Sequence, residues 1–207
     1  MSAGSFTAGF ASPRSLRAGL ARRLARLIPA GRRLLHGSAL SREAVVATLG
    51  PVELRNTRPG VVARTAVKGQ RDAALQTALQ RLADYAGGQN RAALAVPTAR
   101  PVTQLPGAPG TWVVQVGLPG VYAASAAPMP HSGKVRITAQ PSGTLAVIRL
   151  SGRPRDDALA RGEAAIIAAI AGSAWTASGP VVLRLHAPPG LLPWTGEFEV
   201  AMAVTER

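Results

Sequence analysis

From Val52 to Val67 apolar and polar residues alternate: Val52, Leu54, Val61, Ala63, Thr65 and Val67 recur at every second position around Arg58-Pro59-Gly60. That is the period of two half-buried strands joined by a turn, and Gly60 after Pro59 suits a turn that needs positive φ. Arg55, Arg58 and Arg64 then point away from the apolar side or into water. After Asp72 the period changes. Leu75, Ala78, Leu79, Leu82 and Ala86 fall at helical spacing, with Gln76, Gln80, Arg81 and Asp84 on the opposite face. The pattern predicts an amphipathic helix starting near Asp72, whose carboxylate can cap free amides, and stopping at Gly87-Gly88, where glycine tolerates left-handed geometry. An apolar helix face of this kind ordinarily packs on a sheet.

The same plan returns further on. Val52, Gly60 and Gly69 are matched by Val135, Gly143 and Gly152, each 83 positions later. Arg71-Asp72-Ala73-Ala74-Leu75 is matched by Arg155-Asp156-Asp157-Ala158-Leu159, ahead of a second helix from Asp156 to Ala171. In that helix Asp156 and Asp157 read as capping residues. The strands PVVLRLHA and FEVAMAV complete the second copy, and TWVVQVGLP supplies a strand of the first. The chain is therefore expected to be a duplicated β-β-α-β-β unit. Ala44 to Leu49 forms a first strand, and residues 120–133 a loop. Pro97, Pro101 and Pro106 lie too close together for a central strand, so residues 91–110 are expected to be an extended loop or edge segment.

At 207 residues the chain suits one domain with a tail. It has no cysteine, which excludes disulfides, thiolate metal sites and a cysteine nucleophile. His36, His131 and His186 lie too far apart for a helical zinc motif, so no metal site is expected. The formal charge is +14, and residues 1–50, with eight arginines against Glu43 alone, hold +7 of it. The rest is only moderately basic and aromatics are 4%, which fits a solvated basic surface better than nucleic-acid binding. Residues 1–42 form an acid-free basic extension. Within it Leu16, Leu20, Leu24, Leu27 and Ile28 share one helical arc. That form fits a transit peptide, placing the protein in a mitochondrion or plastid. A basic tail in a protein of the bacterial cytoplasm is the alternative. No apolar run approaches the roughly 20 residues of a membrane span.

Several stretches in order resemble the SOUL heme-binding proteins. VELRNTRPGVVARTAV looks like that family's opening strand pair, and LADYAGGQN (82–90) is similar to its helix ending in Tyr-x-Gly-Gly-x-Asn. Thr98 to Thr103 resembles its Met-Thr-x-Pro-Val loop, with Val96-Pro97 in place of methionine and Arg100 inserted before Pro101. AVIRLSG, His186-Ala187-Pro188-Pro189 and FEV resemble later landmarks, with His186 where tyrosine is usual. The resemblance covers about residues 45–204, within a domain taken as 43–207. It implies an α+β fold: a distorted antiparallel β-barrel or cradle with two helices and pseudo-two-fold symmetry.

It also implies non-covalent binding of heme or free porphyrin in an apolar cleft beside the first helix. Carried over from Tyr85-Ala86-Gly87-Gly88, the ligand-facing positions would be Gln76, Leu79 and Ala83. Propionate pairing would come from Arg81, Arg64 or Arg100, or be absent. His186 and His131 are the candidate axial histidines of the body. The expected role is a non-enzymatic carrier or buffer, since no nucleophile elbow, phosphate loop or carboxylate pair at helical spacing is present. The competing class is a small-molecule effector sensor resembling the gyrase-inhibitor domains, with Glu197 or Glu199 as the pocket carboxylate.

Overall fold

The computed structural model describes residues 43–120, 122–186 and 196–207. The 1–42 extension with His36, and the Ala187-Pro188-Pro189 stretch with Trp194, lie outside them. Along the described chain run β1 (Glu43–Leu49), β2 (Val52–Thr57), β3 (Gly60–Lys68), α1 (Arg71–Ala86), β4 (Ala99–Pro106) and β5 (Thr111–Gly117). There follow β6 (Val135–Gln140), β7 (Gly143–Ser151), α2 (Asp156–Ile170), β8 (Trp175–Leu185) and β9 (Glu197–Glu206). The strands form one antiparallel sheet in the order β1-β2-β7-β9-β8-β4-β5-β3-β6, so the fold is α+β, an open cradle with two helices.

Leaving β1 aside, this order reads the same from either end when β2 to β5 are matched with β6 to β9. The registers agree with that match. Glu53 faces Val147 in one ladder and Arg136 faces Arg64 in the other, each of Arg136 and Val147 standing 83 residues beyond its counterpart. The pseudo-axis passes through the β4–β8 ladder. There Val102–Leu185 and Gln104–Leu183 flank Thr103–Arg184.

Both helices cover one face of the sheet, and the registers show why. Thr65, Val114, Gln104, Leu183 and Val200 form one cross-strand row, and side chains alternate faces along every strand. Arg81 of α1 reaches Thr65, Gln104 donates to the carbonyl of Arg71 at 3.0 Å, and a Cβ on Gly162 of α2 would stand 2.8 Å from Val200. Gly162 thus lets α2 lie against β9 where any side chain would collide with Val200. Leu75, Leu79 and Leu82 of α1 and Ile166 and Ile170 of α2 fill the layer between helices and sheet.

Four local expectations change. β4 is a central strand, not a loop or edge, because the register with β5 shifts between Ala99 and Thr103 and only Val102 to Gln104 pair with β8. Pro101 falls inside the shift and Pro106 ends the strand, so neither removes an amide from the ladder's middle. The helix caps are Gln70 and Arg155, with no side-chain capping bond, while Asp72 and the Asp156-Asp157 pair sit inside the first turns where they favour the dipole. Gly60 does not have positive φ and begins β3; the left-handed glycine at the end of α1 is Gly88, at φ 105°. Arg55, expected to point away from the apolar side or into water, is buried against Glu199.

Candidate ligand-binding site

The face away from the helices carries a second cross-strand row. Through successive register pairs it runs Arg136, Arg64, Gln115, Thr103, Arg184, Glu199, Arg149, one residue from each of β6, β3, β5, β4, β8, β9 and β7. Each lies one position out of step with the apolar residues that face the helices. The alternation that builds the core thereby delivers a polar line to the other side.

A cavity of about 310 Å³ opens on this face across the pseudo-axis, at the small end of the roughly 300–1,000 Å³ typical of small-molecule sites. Its lining takes residues from all nine strands, including Glu43 of β1 and Gln140 of β6, the two edges. Eight interstrand steps of about 4.8 Å would hold those edges roughly 38 Å apart in a flat sheet. The sheet must therefore curl around the cavity. The walls are largely apolar, with Val62, Leu105, Leu118, Leu145 and Val182, while Thr103, Gln115 and Arg184 of the polar row and the loop or strand-end cations Arg58 and Arg100 supply polar contacts. Among the described residues, those lining it include no histidine, methionine or tyrosine.

At one end of the row the charges are paired off. The Glu199 carboxylate is 1% exposed. Its Oε1 accepts a hydrogen bond from Arg55 Nη1 at 2.9 Å, Arg184 Nη1 forms an ion pair with Oε2 at 3.1 Å, and His186 Nε2 stands 2.8 Å from the same oxygen. Arg149 stands 3.7 Å from Oε1. Glu43 accepts from Arg184 and, at 3.4 Å, from Arg55, which also donates to Glu53 at 2.8 Å. Burial alone would push the Glu199 carboxyl up; the His186 imidazole, the Arg184 charge and the Arg55 hydrogen bond overcome this and hold it at about 2. Burial also opposes the charge on Arg55, but hydrogen bonds to Glu53 and Glu199 raise its pKa.

The residues chosen from the sequence are not gathered at one place. Leu79 and Ala83 are packed into the core, 7% and 5% exposed, whereas Gln76 is exposed on the outer side of α1. Arg81 donates to the carbonyl of Ala66 at 3.1 Å on the helix side of the sheet. Arg64 lies on the opposite face, in the polar row. His186 is held by Glu199 at the end of β8, and His131 is exposed in the β5–β6 loop. Glu197 is exposed, and the other proposed pocket carboxylate, Glu199, is enclosed by arginines.

The LADYAGGQN stretch has a structural use. The buried Tyr85 hydroxyl donates to the carbonyl of Pro128 at 2.9 Å, and burial, with Tyr122 nearby, raises its pKa. Asn90, fully buried, donates to the carbonyls of Tyr85 and Leu94 and accepts from the Leu94 amide. Both side chains clasp the end of α1 to its neighbouring loops. Among the described residues no group of three His, Asp or Glu could hold a metal ion, and no helix is long and apolar enough to cross a membrane.

Solved structures share this fold at low identity. The C-terminal domain of EcmrR superposes with a TM-score of 0.56 at 9% identity, covering 75% of this chain and 98% of that one. EcmrR in its DNA complex gives 0.57 at 8% identity, covering 94% and 67%. A hydrolase from Listeria innocua gives 0.55 at 11% identity, covering 77% and 94%. No curated protein is similar enough in sequence to count as a match. The sequence profile of the SOUL heme-binding proteins, however, matches residues 43–203, nearly the whole described chain, and the chain belongs to that family.

Proposed function

We propose that this protein is a non-enzymatic carrier that holds heme or a free porphyrin, non-covalently, in the cavity on the helix-free face. Heme binding is the property of the family; the location and the carrier role are our reading. The observation that carries it is the cavity's chemistry: apolar walls for a flat macrocycle and arginines for its carboxylates. The one carboxylate among its described lining residues, Glu43, is already paired with Arg184 and Arg55, so the site favours an anionic guest over an organic cation. That weighs against the effector-sensor reading. The matching registers of the two half-sheets are what a duplicated unit would leave, and duplication accounts for a cavity centred on the pseudo-axis.

The described lining residues fit a porphyrin body and its acid groups and include no strong iron ligand, so burial and charge do the holding. A micromolar dissociation constant corresponds to about 8 kcal/mol, within reach of burying several hundred Å² of apolar surface at ~25 cal/mol per Å². Titrations of hemin and of metal-free protoporphyrin, followed by absorption and tryptophan quenching, are therefore expected to saturate with affinities within about tenfold of one another. Absence of saturation for both would contradict the carrier role. Hemin binding with no protoporphyrin binding would show that an iron bond dominates. In thermal-shift measurements, organic cations ranking above protoporphyrin would favour the sensor.

A further inference from the structure

The two ends of the polar row differ in one respect that the fold does not require. Around Glu199 every arginine has a carboxylate, but at the other end Arg64 and Arg136 are direct cross-strand partners with no acid beside them. Strands β3, β4, β5 and β6 contain no aspartate or glutamate at all, and they carry Arg64, Lys68, Arg100 and Arg136. Among the described residues neither the Arg64 nor the Arg136 guanidinium has an ion-pair or hydrogen-bond partner. Arg64 is half-buried, and like charges directly opposite in a ladder repel. At the corresponding places in the other half stand Glu53 and Val147, so the repulsive pair is particular to this side.

Gln115, the partner of Arg64 on β5, and Val62, two residues along β3, line the cavity, which puts Arg64 beside the cavity wall on the same face and Arg136 one strand further out. We propose that Arg64 and Arg136 form an oxyanion site that takes a carboxylate of the ligand whose apolar body occupies the cavity. A guanidinium pair presents parallel donors that match a carboxylate, and its charge relieves the repulsion between them. This rests on the carrier reading and narrows it: the preferred guest is a tetrapyrrole with free carboxylates, and esterification removes the group that the pair recognises.

The test compares hemin with its dimethyl ester on the full chain and on Arg64→Gln, Arg136→Gln and, as a control on α2, Arg161→Gln. Hemin is expected to bind the unaltered protein at least about tenfold more tightly than the ester, as a charge-assisted contact implies. Arg64→Gln and Arg136→Gln should each lose most of that preference while keeping their affinity for the ester, which also shows that they are folded. Arg161→Gln should behave as the unaltered protein. If hemin and the ester bind equally well and the variants change nothing, the oxyanion site is wrong and the carrier reading stands. Failure of both compounds to bind overturns the carrier reading and this proposal with it.

Discussion

Replacing Glu199 by glutamine is expected to lower the free energy of unfolding by about 3–5 kcal/mol, the usual cost of leaving buried charges without their partner. Arg184 and Arg55 are 3% and 8% exposed, and both direct donors at the glutamate. Glutamine preserves the volume, so the loss measures charge, not packing. The same carboxylate sets the acid sensitivity. Its pKa falls from 4.5 to about 2 on folding, so its contribution is complete above about pH 4.5 and is lost as the pH falls towards 2. Urea melts at pH 7 and across pH 5 to 2.5 check both points: the unaltered protein should weaken steeply in that window, and Glu199→Gln should weaken much less. A variant as stable as the parent at pH 7 would mean that the arginines find water and that the cluster contributes little.

Enlarging a cavity wall should abolish ligand binding without unfolding the protein. Val182 is half-buried on the helix-free face, lines the cavity and pairs with Ala201 of β9. Tryptophan at this position has open space to enter, in contrast to Gly162, where even a methyl group meets Val200. Val182→Trp is expected to weaken hemin binding by at least about a hundredfold, measured by Soret titration, with a melting temperature within a few degrees of the parent. Gln76→Trp, on the exposed side of α1, should leave binding unchanged. The reverse outcome would return the ligand to the helix flank.

The fold was legible in the sequence because its signals are local and repeated. Period-two alternation marked β2 and β3, helical spacing from Leu75 marked α1, and the 83-residue recurrence coincides with the matching strand order of the two half-sheets. β4 was misread because Pro101 and Pro106 look incompatible with a central strand until the register shift that accommodates them is seen. The candidate site was mostly illegible for a related reason. Arg136, Arg64, Gln115, Thr103 and Arg184 belong to five strands, and only cross-strand register brings them into line. Leu79 and Ala83, expected to face a ligand, are packed into the core on the apolar side of α1. The one available hint was parity: Arg55 and Arg64 occupy the positions that alternate with apolar residues, which on a curled sheet face a common interior and not bulk water.

The central claim, that the tetrapyrrole sits on the helix-free face, is tested most directly by mapping amide chemical shifts during titration with diamagnetic protoporphyrin. The expected shifts cluster at Val62, Thr103, Gln115, Leu145 and Val182, with α1 little affected. Shifts confined to Gln76 through Ala83, leaving those strand positions unmoved, would contradict it.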